Sequence, residues 1–199
     1  MGRRRVEVRR EEILEAAAAE VTKRGFGHTR VADVSTELGI STALVFYHFG
    51  TKEQLFAEAL AHAVRRDLDR LDTTVASARD PLDALRRIIA LYAPQGSAPG
   101  WTVWVDAWAE SLREPGMRRM MASLASRWNE VLTEQITAGV DLGLFDCPDP
   151  RGTASRLIGL LDGLSIQVMV HRSLTRTQLG AWARAAAARE LGLSVEQFA

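Results

Sequence analysis

The sequence predicts an all-α protein, with a small N-terminal three-helix helix-turn-helix domain followed by a larger C-terminal helical domain. Three observations predict it. Helix formers dominate a chain of 199 residues that is 47% hydrophobic. Apolar residues recur at helical spacing, and no strand-like alternation or internal repeat interrupts them. The length suits one sizeable core with a small domain appended.

Each element follows from its own signals. Arg9 to Lys23 reads as a helix with Ile13, Leu14, Ala17 and Val21 inward, stopped by Gly25. Ahead of it, Arg3, Arg4, Arg5, Arg9 and Arg10 against Glu7 make a basic tail. That tail either follows phosphates and the minor groove or is a solubilising terminus. Thr29 is expected to cap a second helix, where Val31, Val34 and Leu38 form one apolar face. Gly39 marks a sharp turn. Ser41 caps a third helix running through about His48, with Ile40, Leu44 or Val45, and Phe49 inward. Thr51-Lys-Glu-Gln54 reads as a capping box opening a long helix, Lys52 to about Ala76. Its stripe is Phe56, Leu60, Val64, Leu68 and Leu71, and His62 is placed on its exposed side.

Beyond it, Asp80-Pro81 opens a helix through Ala93, and residues 94–100 read as a loop. Trp101 to Arg113 follows, Glu114-Pro115-Gly116 reads as a break, and Met117 to Leu142 is long with Met121, Leu124, Trp128, Val131, Leu132 and Ile136 on one side. Gly143 to Gly152 reads as a loop. Thr153 to about Arg172 is apolar on almost every face, so it must be covered on two sides. Thr175-Arg-Thr-Gln178 opens an alanine-rich helix through about Leu191. The simplest cover for these last helices is the same pair from a second copy, an isologous four-helix interface.

Residues 29 to 52 carry the chemistry. Two short amphipathic helices joined by glycine fit an ordinary helical corner. A capped turn followed at once by aromatic, His, Phe and Lys fits a helix held against the groove of double-stranded DNA. Thr42, Ala43 and Phe46 are expected at base edges, with Arg30 adding a guanine contact and Ser41 capping the reading helix. Thr29, Tyr47, His48 and Lys52 are expected to hold phosphates. The net charge of zero implies only moderate non-specific affinity, so recognition should need two half-sites of a palindromic operator bound together.

These residues resemble the TetR family of bacterial one-component transcriptional regulators. The likeness covers about Arg10 to Leu60 and rests on Ile13-Leu14, Ala16-Ala17, Gly25-Phe26, Thr29, Val34, Gly39-Ile40-Ser41, Tyr47-His48-Phe49 and Lys52-Glu53. It implies that the second helix of the motif enters the major groove and that the C-terminal domain holds an effector and forms a homodimer. Leu44-Val45-Phe46 stand where many members have Thr-Leu-Tyr, so hydroxyls are missing at 44 and 46 and more weight falls on Tyr47, His48 and Lys52. The implied organisation is an arm and DNA-binding domain over 1–52 and an effector-binding and dimerisation domain over 53–199. The implied role is a repressor released from its operator by a small molecule. The competitors are a constitutive DNA-binding dimer and a helical small-molecule-binding protein that does not act on DNA.

The effector side is open at this level. All five tryptophans lie beyond the motif. Trp101, Trp104 and Trp108 share one helix face, with Asp106 and Glu110 nearly opposite, so they are either core or part of a pocket. A cation cage needs aromatic faces and usually a carboxylate converging on one point, so the acid would come from Glu130, Glu134 or Asp162. Asp162, Gln167 and His171 interrupt or close the apolar helix, and Met120, Met121 and Met169 suit a plastic apolar wall. The candidate lining is therefore Trp104, Trp108, Met121, Trp128, Asp162, Gln167 and His171. Trp101 to Trp108, Glu114-Pro-Gly-Met-Arg118 and Leu161-Asp-Gly-Leu-Ser-Ile-Gln167 loosely resemble the BetI-type branch of the family, implying a choline-like or polyamine-like cation; a hydrophobic effector is the other option.

Enzyme chemistry finds no support. The four histidines are scattered without metal-ligand spacing, and no nucleophile elbow, phosphate loop or dinucleotide fingerprint occurs. No catalytic residue, metal or cofactor is expected. A single cysteine, Cys147, fits a reducing cytoplasm, and no apolar run of membrane-spanning length or secretory signal is expected.

Overall fold

In the computed structural model the backbone is described for residues 2–93 and 99–198, and side chains for 9–93 and 101–198. The fold is all-α, and no strand occurs among the described residues. In chain order the helices are α1 (Gly2–Arg24), α2 (Val31–Glu37), α3 (Thr42–Phe49), α4 (Lys52–Ala76) and α5 (Pro81–Tyr92). Then come α6 (Pro99–Ser111), α7 (Pro115–Asp141), α8 (Pro150–Ile166), α9 (Arg176–Glu190) and α10 (Val195–Phe198). A π-helical turn, Gln167–His171, extends α8.

Two compact units form: Met1–Asp67 with Pro99–Ala122, and Leu68–Ala98 with Ser123–Ala199. The first holds the N-terminal helix-turn-helix. Its buried residues are Ile13, Leu14, Ala17 and Val21 of α1, Val34 of α2, and Val45 and Phe49 of α3, joined by Leu55, Phe56 and Leu60 of α4 and Val103 and Ala107 of α6. Gly25 has φ of +82°, and a β-carbon there would meet Asp106 Oδ2 at 2.8 Å, so the α1–α2 turn is tightly covered by α6. Gly39 has φ of +61°, the left-handed geometry that the α2–α3 turn requires.

Several expectations are corrected. α1 begins at Gly2 rather than Arg9, so the basic segment is helical backbone; the side chains of Arg3, Arg4 and Arg5 lie outside the described residues. Arg9 pairs with Glu12. Arg10 pairs with Glu58 and covers the Phe49 ring at 4.9 Å, so it is engaged inside the unit. His62, expected on an exposed side, is buried. It continues a second buried line on α4, Leu55–Ala59–His62, that the single stripe left out.

In the second unit the core combines Leu71 of α4, Leu85 and Ile88 of α5, Val131, Leu132 and Ile136 of α7, Leu157 and Leu161 of α8, and Leu179, Ala183 and Ala187 of α9. Asp80 caps α5, accepting from the Asp83 amide at 2.8 Å. Pro115 and Gly116 are the opening turn of α7 rather than a break, because proline at a first helical position costs no hydrogen bond. For the same reason α8 starts at Pro150, capped by Asp149, three residues before the expected Thr153. The segment expected as a loop before Trp101 has its last two residues in α6, and residues 94–98 lie outside the described residues. The Thr175–Gln178 capping box forms as expected, with bonds of 2.9 and 3.2 Å. A further box, Ser194 with Gln197, opens the unforeseen α10 and buries Phe198.

By length and composition Pro150–His171 could cross a membrane, although Arg151, Arg156 and Asp162 interrupt it, so it is not an uninterrupted apolar run. Its Leu157, Leu161 and Leu164 are buried within the second unit and α8 packs on α9, as in a core helix.

Candidate nucleic-acid interface and effector site

Helix α3 is fixed from below and bare above. Ser41 Oγ accepts from the Leu44 amide at 3.2 Å, Val45 and Phe49 are buried, and Gly50 ends the helix with φ of +71°. That leaves Thr42, Ala43, Phe46 and Tyr47 exposed on the opposite face. Phe46 is 43% and Tyr47 79% exposed, a large apolar surface for an eight-residue helix to leave open. His48 is half-buried, its ring set edge-on to Tyr47 at 5.4 Å and tilted against Phe49 at 6.2 Å.

The flanking cations are differently placed. Lys52 is half-buried with Nζ 5.7 Å from the centre of the Phe56 ring, which braces it at the opening of α4. There Thr51 Oγ1 accepts from the Gln54 amide at 3.1 Å. The free amides of such a helix start suit a phosphate oxygen. Arg30 is exposed and is itself the cap position of α2, where its amide donates to Asp33 Oδ2 at 2.8 Å. Thr29 therefore does not cap α2. It is 0% exposed, and its hydroxyl donates inward to the Gly25 carbonyl at 2.7 Å. It braces the turn, with no hydroxyl facing solvent for a phosphate.

An ion-pair cluster that the sequence reading missed ties α1 to α2. Buried Glu20 accepts from Lys23 Nζ at 2.6 Å and Arg24 Nε at 2.7 Å. Lys23 also reaches Glu37 at 3.6 Å, and Arg24 reaches Asp33 at 3.7 Å. The Lys23 hydrogen bond first, then that of Arg24, holds the Glu20 carboxyl below its ordinary range despite burial. Spacing alone pointed there, since Glu20, Lys23 and Arg24 stand at i, i+3 and i+4.

The effector candidates divide between the units. In the first, Trp101 is buried and meets the partly buried Trp108 edge to face at 5.7 Å, while Trp104 is half-buried and Met121 buried. In the second, Trp128 is buried against Tyr92, rings perpendicular at 4.9 Å. The Tyr92 hydroxyl donates to Asp162 Oδ1. Burial raises the Asp162 carboxyl above its ordinary range, and the Tyr92 hydrogen bond only partly opposes that. Gln167 and His171 are exposed, and Gln167 Oε1 accepts from Ser173. Tyr92 is the site residue that the sequence reading missed. A half-buried tyrosine hydroxyl needs a partner and so does a half-buried aspartate; each need pointed toward the other.

Beside Asp162, α8 and α9 leave an apolar outer surface. Val170 is 54% and Trp182 51% exposed, and nothing lies within 4 Å of where a β-carbon would sit on Gly159 or Gly163.

Comparison with known proteins agrees with this architecture. Residues 13–59 match the family model of tetR-family bacterial regulatory proteins. Residues 81–192 match that of the C-terminal domain of BetI-type transcriptional repressors. The HTH-type transcriptional regulator BetI of Burkholderia cenocepacia (strain HI2424) is 30% identical over 162 residues, 79% of this chain and 80% of that protein. A transcriptional regulator from Saccharomonospora viridis, solved in complex with choline, is 30% identical with a TM-score of 0.83, covering 89% of this chain and 94% of that one. A TetR regulator from Haloarcula marismortui shares the fold at 20% identity, with a TM-score of 0.80 over 94% of this chain and 97% of its own.

Proposed function

This chain belongs to the TetR family of bacterial regulatory proteins, with a BetI-type C-terminal domain, and on that premise we propose how it reads DNA and what releases it. It is a DNA-binding transcriptional regulator, a ligand-responsive repressor. The observation that carries the reading is the bare face of α3, Thr42, Ala43, Phe46 and Tyr47, held over buried Val45 and Phe49. Thr42, Ala43 and Phe46 meet base edges, the apolar members against thymine methyls, and Arg30 adds a guanine contact. Tyr47, His48 and Lys52 hold phosphates.

A homodimer presents two copies of α3 to a palindromic operator, its half-sites about one helical turn apart. The open surface of α8 and α9, with Trp182, Val170 and the bare Gly159 and Gly163, supports that pairing. The protein acts in the cytoplasm.

The effector is a small organic cation of the choline class. Tyr92, Trp128 and Asp162 support it: two perpendicular rings beside a carboxylate favour a cation by quadrupole and by charge. A cation there also offsets the desolvation of Asp162. Occupancy favours a conformation whose reading heads are spaced wrongly for the operator, and α4, which begins with Lys52, carries the change to the motif. The test is fluorescence anisotropy on DNA from upstream of the protein's own gene, titrated with and without choline. Release that Asp162→Asn abolishes, with operator affinity retained, is expected. Binding indifferent to choline and to other quaternary ammonium ions would leave a constitutive dimer and remove the cation reading.

A further inference from the structure

Ser165 of α8 is fully buried, and its hydroxyl has no hydrogen-bond partner. Ser126 bonds Glu130, and three other helical serines turn back to a carbonyl in the preceding turn: Ser35 to Ala32, Ser111 to Ala107 and Ser155 to Arg151. Ser165 does not, although that bond is open to any serine inside a helix. Buried polar groups are seldom left unmet without a use.

Its direction follows from its neighbours on α8. One edge of the helix faces α5 and α7: Asp162 accepts from Tyr92, and Asn129 Nδ2 donates to Ser155 at 2.8 Å. The other edge faces α9, where Thr153 and Arg156 both bond Glu190. At about 100° per residue, Ser165 stands roughly 60° from Asp162, on the Asp162 side of the buried midline at Leu161. Residues three apart on a helix have β-carbons about 5–6 Å apart. Ser165 therefore stands about one helical step from Asp162, on the side of α8 away from the Thr153–Arg156 edge that bonds Glu190.

We infer that Ser165 is a specificity-determining residue of the effector site: its hydroxyl bonds a neutral polar group that the ligand carries a few bonds from its cationic centre. The inference rests on the cation reading given above. Asp162, Tyr92 and Trp128 recognise positive charge and would accept any small quaternary ammonium ion. Ser165 adds selection for a hydroxyalkyl ammonium over its alkyl isostere, because only the hydroxyl-bearing ion gives this already unmet group a partner.

Calorimetric titration of the full-length protein with choline and with n-propyltrimethylammonium, which replaces the hydroxyl by a methyl group, tests this. The wild type should prefer choline by about tenfold, the scale set by one well-made hydrogen bond. Ser165→Ala should bring the two ligands within about twofold, chiefly by weakening choline, and should not lower the melting temperature of the free protein, since it removes a polar atom that has no partner. Equal preference in wild type and variant, or a clearly lower melting temperature for the free variant, overturns the role of Ser165 and leaves the cation site standing. Failure of the wild type to bind either ion overturns both.

Discussion

Removing the Lys52 ammonium separates electrostatic grip from base reading. Lys52→Ala forfeits a cation–π contact at 5.7 Å from a half-buried position, about 0.5–1 kcal/mol of stability. That is too little to unfold the head, so a loss of operator binding reports the interface. Each neutralised phosphate contributes about 0.9 to the slope of log affinity against log salt. A dimer loses two such contacts, so its slope should flatten by about 1.8. Between about 50 and about 200 mM salt, a fourfold change, the gap between wild type and variant should then narrow by about 4 to the power 1.8, or roughly twelvefold. Anisotropy titrations at four salt concentrations, on the operator and on a scrambled duplex, measure this. Parallel salt lines combined with an altered sequence preference would refute the phosphate role and place Lys52 at a base edge.

Other perturbations probe what supports the site. Thr29→Val removes the 2.7 Å hydroxyl bond to the Gly25 carbonyl, which keeps the His28 and Thr29 amides, so the melting temperature should drop by the equivalent of about 0.5–1.5 kcal/mol while the salt slope stays at the wild-type value; a flattened slope would restore Thr29 as a phosphate contact. The Asp83 carboxyl is lowered from 3.8 to about 2, first by the Arg79 amide and then by the Arg79 and Arg87 side chains, with burial opposing. Because its folded value lies below its unfolded one, its contribution is complete above the ordinary carboxylate range and fades as pH falls toward about 2. Chemical denaturation should thus find Asp83→Asn less stable than wild type by a constant amount near neutrality, with the gap closing in acid. Trp182→Arg should shift sedimentation toward single chains and weaken operator binding with little change in the melting of the monomer, since the indole is 51% exposed.

The DNA-reading half was legible because its determinants are close together in the chain. Ser41, Gly39, Val45 and Phe49 act within one turn of each other, and periodicity with capping chemistry fixes both the helix and its bare face. Thr29 shows where local reasoning stops. A threonine ahead of a helix can accept from that helix's amides or donate back to the preceding turn, and only the packing of Gly25 under Asp106 decides between them. The starts at Pro115 and Pro150 were misread as a break and a loop, although the signal was in the sequence. Asp149-Pro150 repeats the Asp80-Pro81 signal, and proline opens α7 as it opens α5 and α8. His62 was misplaced because one apolar stripe was assigned to α4, whereas the helix buries two.

The effector half was hard to read for a physical reason. Tyr92 and Asp162 stand 70 positions apart, so no helical period relates them, and each alone looks like an amphipathic residue at the edge of a core. What the sequence does carry is a pair of unmet requirements. Asp162 lies in a helix with apolar residues on almost every side and needs a donor; Tyr92 ends the apolar face of α5 and needs an acceptor. Two such requirements in one small unit constrain each other more than either constrains the fold. The same reasoning reaches Ser165 by its opposite outcome: a hydroxyl whose requirement the fold leaves unmet, one helical step from a carboxylate whose requirement it meets only in part. A core built for stability alone would place alanine at 165 and leucine or asparagine at 162. Keeping both polar groups inside the second unit costs stability that the Tyr92 bond returns only in part, and a ligand carrying a cation and a hydrogen-bonding group would supply the rest only when bound, as a ligand-controlled repressor requires.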